Sequence, residues 1–314
     1  MIDYIIRRLI QTVFVLILVS FLCFTLIHLM PGDPVSLMLG SEATPEQIKL
    51  VQAKMGLDKP FFEQYVWWVG NCLHGDFGQS LRYATPVAQL IASRFPTTLY
   101  LSFLALILSI FFGIAIGVIG AVRRGSFLDQ FLVVSATTGS CVPIFWLGIL
   151  GIYLFGLYLG WLPVQGWVMP NVDFGSSVKH TIMPAILLAI PSLAVIARQT
   201  RSSMLEVTRQ DYVRTAWSKG LKERSIVIRH ELKNALIPIV TLLGLQIRIL
   251  LGGSVLVETV FNIPGMGRLL VDSAFNKDFF ILQSGVLILG VIVCAANLLV
   301  DISYGWFDPR IRYG

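Results

Sequence analysis

Long apolar runs separated by polar segments set the pattern of this sequence. The first run has roughly the 20 residues with which a helix crosses a bilayer, and further runs of this kind follow it. We therefore predict an all-α, polytopic membrane protein with six transmembrane helices. The predicted spans are residues 9–30, 97–122, 131–158, 182–197, 237–257 and 281–299.

Proline and glycine positions inside these spans predict bends and close packing. Pro143 lies inside the third span and Pro191 interrupts the fourth, so both helices are expected to bend there. Such bends suit a bundle that lines a pathway, but membrane helices also tolerate them structurally. Two glycine pairs have the four-residue spacing that lets helices approach closely, which indicates packing rather than chemistry. These pairs are Gly113/Gly117 and Gly156/Gly160.

The polar region between the first two spans is predicted to form a small helical cap. Thr44-Pro45-Glu46-Gln47 has the order of an N-cap, a proline at the first helical position and a capping-box glutamine. Residues 61–73 are aromatic-rich, as is typical of a segment at a membrane interface. Thr85-Pro86 is predicted to open another short helix. Between the last two spans, residues 262–268 indicate a turn that leads into a short helix over 269–275.

Composition agrees with a membrane protein. The chain is 55% hydrophobic with a mean hydropathy of +0.76, whereas about 45–50% hydrophobic residues are usual in soluble domains. Only 13% of its residues are charged. The net charge of +6 would favour nucleic-acid binding in a soluble chain, but membrane orientation explains it better here. We therefore expect no nucleic-acid partner.

The basic residues predict one orientation in the membrane. Those on one side of the six spans are Arg7, Arg8, Arg123, Arg124, the cluster over residues 198–233, Arg310 and Arg312. The short loops on the other side contribute Lys179, Arg268 and Lys277. Short loops rich in Lys and Arg stay inside, so both termini are predicted to be cytoplasmic and the cap to be outside. The first run exceeds the ~7–15 residues of a secretory apolar core, so it is predicted to be an uncleaved span.

Several kinds of site are absent from the sequence. No GxxxxGK[ST] phosphate loop occurs, so any ATP that drives this protein must bind another chain. His230-Glu231 begins like the zinc motif HExxH, but Asn234 stands where the second histidine would be. The cysteines show no metal-ligand spacing, and we expect neither a disulfide framework nor a zinc site. We expect no cofactor in this chain and no catalytic residues.

A basic segment over residues 205–238 lies between apolar runs and is predicted to be cytoplasmic. In its middle, Ala216, Gly220 and Leu221 are interpreted as a small, mildly apolar spot framed by Arg214 and Lys219. Small residues there would let another protein approach the backbone closely. The segment is either such a docking element or a solvated basic loop that only fixes the orientation of the chain in the membrane. The sequence favours neither alternative over the other.

Arg248 is the most unusual residue of the predicted spans. If the fifth helix begins near Ile237, Arg248 lies about 16 Å along it, at roughly 1.5 Å per residue, close to the bilayer centre. A charge at that depth costs at least ~2.5–3.5 kcal/mol on insertion scales, so it should face a partner or a watery cavity. Arg248 either lines a translocation route or forms a structural ion pair inside the bundle.

Stretches along almost the whole chain resemble one protein family, in the family's order. They are YIIRRL at 4–9, MPGDP at 30–34, GLDKP at 56–60, GDFG at 75–78, DYVRTA at 211–216, KG at 219–220, RHELKNALIP at 229–238, GGS at 252–254, PGMGR at 264–268 and DPRIR at 308–312. The family is that of the permease subunits of ABC importers for dipeptides, oligopeptides, nickel and glutathione. The general permease motif begins Glu-Ala-Ala, whereas this chain has Arg214-Thr215-Ala216, which resembles the variant of the peptide/nickel subgroup.

The resemblance implies a type I ABC importer permease fold and the function of a permease subunit. Residues 214–221 would form the coupling helix, with Arg214, Thr215, Ala216, Lys219, Gly220 and Leu221 at the ATPase contact. The implied partners are a second, similar permease, two ATPase subunits that bind ATP and Mg, and an extracytoplasmic substrate-binding protein. The implied location is the cytoplasmic (inner) membrane of a bacterium or archaeon. The binding protein would largely determine which solute is carried, so the sequence of this chain does not identify the solute.

The expected organisation has three parts. They are a first transmembrane helix (1–30), an outer helical cap (31–95) and a five-helix core with the cytoplasmic coupling segment (96–314). Two other function classes compete with an ABC importer. An ion-coupled secondary transporter should show internal repeats and paired intramembrane carboxylates, and a membrane hydrolase should show a nucleophile–base set or metal ligands. Neither pattern is found in the sequence.

Overall fold

A computed structural model of the chain describes residues 2–28, 44–54, 59–80 and 82–307. Several sequence features lie wholly or partly outside these ranges. They are the predicted end of the first span at Met30, the MPGDP stretch at 30–34, the first part of the predicted cap (31–43), residues 56–58 of the GLDKP stretch, and the terminal stretch at 308–312. The expectations for them remain predictions.

Helices make up most of the described chain, and the all-α prediction is confirmed. The α-helices are α1 (Ile2–His28), α2 (Pro45–Lys54), α3 (Phe61–Leu73), α4 (Val87–Val122), α5 (Phe127–Cys141), α6 (Ile144–Gly151), α7 (Phe174–Val207), α8 (Asp211–Ser218), α9 (Glu223–Ser225), α10 (Lys233–Val260), α11 (Met266–Phe275) and α12 (Phe279–Phe307). Two π-helices continue α6 and α9, namely π1 (Ile152–Tyr158) and π2 (Ile226–Leu232). The strands β1 (Gln79–Ser80) and β2 (Thr85–Pro86) form one short antiparallel pair.

Within the described ranges, five helical stretches are long and apolar enough to cross a membrane, or six if the bent pair formed by α5 and α6–π1 is one span. The five stretches are Ile6–Thr25, Val87–Val122, Phe174–Val207, Leu242–Val260 and Phe279–Val300. They match the predicted spans in order, but the third predicted span is not one continuous helix. Its two halves meet at 101°.

The backbone preferences of proline explain why the third predicted span is broken. A proline in α7 does not break that helix. Val142 has extended backbone (ψ 132°) and Pro143 becomes the N-cap of α6, because proline disfavours helical backbone in the residue before it. Pro191 does not interrupt α7, which runs unbroken from Phe174 to Val207. The prediction that Pro191 interrupts a fourth span of residues 182–197 is therefore wrong, and the helix is longer at both ends.

The predicted short helix after Thr85-Pro86 is also wrong. These two residues form β2, in which Thr85 lies opposite Ser80, and the Val87 amide donates to the Gly78 carbonyl (3.0 Å). Val87 then begins a 36-residue helix that contains Pro96. The polar-to-apolar change in the sequence therefore falls within one helix and does not mark its start.

The first of two compact units comprises residues 1–96 and 264–314. In it, α3 packs along α1, and Trp68 is 9% exposed with its ring 5.7 Å from that of Phe24. The predicted interfacial segment is therefore partly buried against α1. The His28 ring has a partner at each nitrogen, the Phe24 carbonyl (2.9 Å) and the Gln64 amide oxygen (2.8 Å). The capping box is confirmed, since Thr44 and Gln47 bond reciprocally.

The second unit comprises residues 97–263. Its core includes Leu101, Leu188, Leu250 and Phe261, which come from α4, α7 and α10 or follow α10 directly. Close packing at the first glycine pair is confirmed, because a Cβ on Gly117 would lie 2.5 Å from the Thr200 Cβ on α7. The second pair does not pack as one helix face: Gly156 lies in π1, whereas Gly160 follows it with a φ of +65°.

Candidate functional site

The coupling segment folds as an amphipathic helix, α8, seated on its own chain. Val213 and Ala216 lie three residues apart and therefore share a helix face. Both are buried, and they form a hydrophobic cluster with Ile226 at the start of π2. The Asn234 amide also donates to the Tyr212 hydroxyl (3.1 Å), which ties α8 to the first turn of α10. The position of α8 is thus fixed relative to α10.

α8 and the turn after it expose both apolar and basic side chains. Trp217 is 49% exposed and Leu221 is 39% exposed, and the exposed residues Arg214 and Lys219 are near them in sequence. Ala216 does not contribute to this exposed surface, since it is buried in the cluster below. The interpretation of Ala216, Gly220 and Leu221 as one exposed spot is therefore wrong for Ala216. Trp217, which the sequence analysis overlooked, is the largest exposed apolar side chain of α8.

Gly220 ends α8 in a Schellman motif. The Gly220 amide donates to the Trp217 carbonyl (2.9 Å), and the Leu221 amide donates to the Ala216 carbonyl (3.4 Å). This pairing requires a left-handed residue after the C-cap, and Gly220 has a φ of +70°. A Cβ at Gly220 would meet no atom within 4 Å. Backbone conformation therefore favours glycine at this position, and the open space leaves its surface accessible.

A buried acid, Glu231, lies in π2 behind α8. The residue is 4% exposed. Burial raises the pKa of its carboxyl, a hydrogen bond with the Thr208 side chain opposes this shift, and the negative charge of Glu223 adds to it. The Thr208 hydroxyl also donates to the Met204 carbonyl (2.8 Å).

Glu231→Gln is expected to stabilise the protein increasingly as pH rises. A raised carboxyl pKa favours the protonated form in the folded state, so the stability due to Glu231 is full below the ordinary value of 4.5 and is lost as pH rises through the raised value. Glutamine keeps the size but does not ionise. The Tm of the variant should therefore exceed that of the wild type at pH 8 and approach it near pH 4.

Thermal unfolding of the purified complex across this pH range measures the effect. Glu206→Gln is the matched control, because Glu206 is exposed at the end of α7 and its replacement should give no such pH-dependent difference. A constant difference between the Glu231→Gln variant and the wild type at all pH values would contradict the expectation.

Arg248 lies on the exposed face of α10. Leu245, Ile249 and Leu256 share this face at helical spacing and are also exposed, whereas Leu250 on the other face is buried in the core. Among the residues that the structure describes, Arg248 makes no hydrogen bond or ion pair. The structural ion pair within this chain, one of the two sequence interpretations, is thus not found in the described part.

Two interactions of buried acids were not found by sequence reasoning. Asp129, on α5, accepts from Arg201 on α7 in a two-pronged pair, with Nε–Oδ1 2.7 Å and Nη2–Oδ2 2.8 Å. The Gly125 amide donates to the same carboxylate (3.0 Å). Farther along, the Thr98 hydroxyl donates to the buried Glu258 carboxylate (2.7 Å). Asp129 also takes part in the N-terminal cap of α5, since the Ser126 Oγ accepts from the Asp129 amide (3.2 Å).

Nothing in the described ranges resembles a metal centre. Within them, no three His, Cys, Asp or Glu side chains come close enough to share an ion. At the failed zinc motif, the Asn234 side chain donates to the His230 carbonyl (2.8 Å), which is an ordinary intrahelical contact. The candidate site in these ranges is therefore a binding surface with charged side chains and contains no metal-binding cluster.

Comparison with known protein families identifies the family to which this chain belongs. The family model described as "Binding-protein-dependent transport system inner membrane component" matches residues 113–313. The corresponding N-terminal model, "Binding-prot-dependent transport system membrane comp, N-term", matches residues 1–102. This chain belongs to that family. It is a multi-pass permease subunit of an ABC importer, within a membrane complex whose ATP hydrolysis takes place on separate subunits.

Individual relatives agree with this assignment. The permease is 42% identical over 310 residues to the probable peptide ABC transporter permease protein y4tP of Sinorhizobium fredii (strain NBRC 101917 / NGR234), covering 99% of each chain. It is also 42% identical over 313 residues to the glutathione transport system permease protein GsiC of Escherichia coli (strain K12), covering 100% of each. The expected family is therefore confirmed.

A solved structure shares the fold of the permease. The inward-facing MetNI methionine ABC transporter matches with a TM-score of 0.58 and 17% identity, over 70% of this chain and 97% of that one. At this identity the likeness concerns the fold alone. With the family established, the alternatives of an ion-coupled secondary transporter and a membrane hydrolase are set aside.

Proposed function

We propose that α8 and the turn after it contact the ATPase subunits. Through this contact the conformational change caused by ATP binding would reach the permease. The proposed contact residues are Arg214, Thr215, Trp217, Lys219, Gly220 and Leu221, with Ala216 holding the helix from below. The observation that carries this proposal is the two-sided character of α8. Its inner face is packed on its own chain through Val213 and Ala216, while Trp217 on α8 and Leu221 in the turn after it are exposed, as are Arg214 and Lys219.

The proposed assembly is supported by the family, and the proposed orientation by the basic residues around α8. The partners are a second, similar permease, two ATPase subunits that bind ATP and Mg, and an extracytoplasmic binding protein. Lys and Arg of the segment around α8 place it inside, so both termini are cytoplasmic and the cap of residues 31–95 is outside. The turn and helix at 262–275 are also outside, where they and the cap would meet the binding protein.

The proposed cargo is a peptide or a related small solute. Relatives named for peptide and for glutathione transport are each 42% identical along essentially the whole chain. A dipeptide, an oligopeptide or glutathione would carry a carboxylate that a cation in the pathway could pair with. Uptake assays with such solutes, and with a nickel chelate as the other class of the wider family, would identify the cargo.

Arg248→Ala is expected to lower solute uptake by about tenfold or more without changing assembly. A charge on an exposed face inside a span has to meet a cavity, a solute or another subunit, and losing one member of a desolvated charge pair costs at least ~2 kcal/mol. Ile249→Ala is the matched control, because Ile249 is exposed on the same helix face. Unchanged uptake of every solute with unchanged subunit recovery would refute a pathway role for Arg248.

Purification of the complex from native membranes in mild detergent tests the proposed function. A second permease and ATPase subunits should co-purify, and Gly220→Val should abolish ATPase recovery, because a β-branched residue is a steric outlier at positive φ. Gly160→Val is the matched control, since Gly160 also has positive φ (+65°) and open space around it. Recovery of the chain alone, still moving solute down an ion gradient, would overturn the proposal.

A further inference from the structure

The first unit contains a small polar pocket that the transport function does not yet explain. Its volume is about 130 Å³, and it lies between the first turns of α4 and the start of α11. The polar side chains of its lining come from Tyr83, Arg94, Arg268 and Asp272. Tyr83 and Arg94 precede the predicted second span (97–122), whereas Arg268 and Asp272 lie between the last two. Both segments belong to the predicted outer side.

The lining of this pocket is positively charged. Arg268 pairs with Asp272 at 3.6 Å (Nε–Oδ2), one helical turn away on α11. Arg94 is half-buried, and within the described part of the chain it forms no ion pair or hydrogen bond. The two guanidinium groups and single carboxylate leave one positive charge in a partly desolvated site. A guanidinium in such a position pairs well with a carboxylate, which it can hold through two parallel hydrogen bonds.

The pocket is held by a rigid frame. Val87, Ile91 and Arg94 lie four and three residues apart on one face of α4, and the first two are buried against Leu269 of α11. The turn that carries Tyr83 is fixed because the Tyr83 amide donates to the Ser80 hydroxyl oxygen (3.0 Å). That hydroxyl in turn donates to the buried Asp278 carboxylate (2.6 Å). The site is thus preorganised, which lowers the entropic cost of binding.

The size of the pocket decides between its possible occupants. A volume of about 130 Å³ is far below the ~300–1,000 Å³ of pockets that enclose whole small molecules. It equals roughly four waters at ~30 Å³ each, which is enough for the end of one acidic side chain. A peptide-sized solute would not fit.

We propose that this pocket receives an Asp or Glu side chain of the extracytoplasmic protein that delivers solute to the permease. The proposal rests on the proposed orientation and on the binding protein as a partner. It adds a defined contact: the carboxylate of the incoming protein pairs with Arg94, while Arg268 remains with Asp272. Such a charge contact would steer association and set its register more than it would drive the transport step.

Binding-protein-stimulated ATP hydrolysis by the intact complex in proteoliposomes tests the contact. The stimulating protein is the extracytoplasmic component recovered with the wild-type complex, and it is titrated at low and at high salt. Arg94→Gln should raise its half-stimulating concentration by about tenfold and weaken the salt dependence, with the maximal rate unchanged. Arg94→Lys should restore much of the affinity. Arg82→Gln is the matched control, since Arg82 is exposed in the same turn but does not line the pocket.

The other outcomes overturn the inference. An unchanged half-stimulating concentration in Arg94→Gln would show that the pocket does not contact the binding protein, while ATPase coupling in the same vesicles would leave the proposed function intact. A lower maximal rate with unchanged half-stimulation would assign the charge to the solute's own carboxylate and also refute the contact. A wild-type complex that no extracytoplasmic protein stimulates would instead remove the partner on which both proposals depend.

Discussion

Trp217→Ala is expected to release the ATPase subunits and to abolish coupled transport. A half-exposed tryptophan in a polar, basic segment has the properties of an interface anchor, and truncating such a residue typically costs ~2 kcal/mol or more, roughly a 30-fold loss of affinity. The indole lies four residues beyond the buried Val213, at the edge of the covered face of α8, and about half of its surface is exposed (49%). Val213 and Ala216 pack the helix on its own chain without the help of Trp217. Its loss should therefore leave the helix folded and remove only the contact.

Two measurements on the purified complex check this expectation: the ATPase recovered per permease and the ATP hydrolysis that solute delivery stimulates. Trp161→Ala is the matched control, because Trp161 is an exposed tryptophan on the predicted outer side and should change neither quantity. Retention of the full ATPase complement and of coupled hydrolysis by Trp217→Ala would remove the anchor role from this residue.

The helix that follows α8 links the proposed docking face to the proposed pathway charge. α9, π2 and α10 continue from Glu223 to Val260, and α8 is fastened to this segment by the Tyr212–Asn234 bond and the Val213–Ile226 contact. Arg248 lies fifteen residues beyond the start of α10, or about 22 Å at ~1.5 Å per residue. A displacement of α8 would therefore be carried along one helical segment toward Arg248. π-helical turns are frequent at functional sites, and here one lies between the two.

The sequence located the segment of this site but not the bounds of its helix. The family resemblance placed the coupling helix over residues 214–221, whereas α8 runs from Asp211 to Ser218 and Gly220 follows it in left-handed backbone. The accessible face was less predictable, because the sequence does not show which side of a short helix its own chain covers. Ala216 was therefore placed outside and Trp217 was overlooked.

Proline shows a similar limit at the level of the fold. Pro143 breaks a helix and Pro191 does not, although both lie in apolar runs. The difference depends on whether the preceding residue adopts extended backbone and on whether neighbouring helices support the bend. The local sequence shows neither condition, so it does not predict which of the two prolines breaks its helix.

Asp129→Ala is expected to destabilise the permease by ~3 kcal/mol, the low end for breaking a buried ion pair. Asp129 and Arg201 are 72 residues apart in sequence, which is why no local pattern revealed them. The Asp129 side chain is 4% exposed and that of Arg201 is 29% exposed. Removing the carboxylate leaves a half-desolvated guanidinium and the Gly125 amide without their acceptor. Thermal unfolding of the purified complex should show a clearly lower Tm.

A double variant and a surface pair distinguish an ion-pair effect from simple loss of packing. Asp129→Asn with Arg201→Met should recover most of the lost stability, because asparagine still accepts from Gly125 and no unpaired charge remains. Asp211→Ala should cost less than ~1 kcal/mol, because the Asp211–Arg214 pair is exposed and 3.6 Å apart. If the double variant were as unstable as Asp129→Ala alone, the pair itself would be the stabilising element. Recovery would show instead that Asp129 is needed mainly because Arg201 is present.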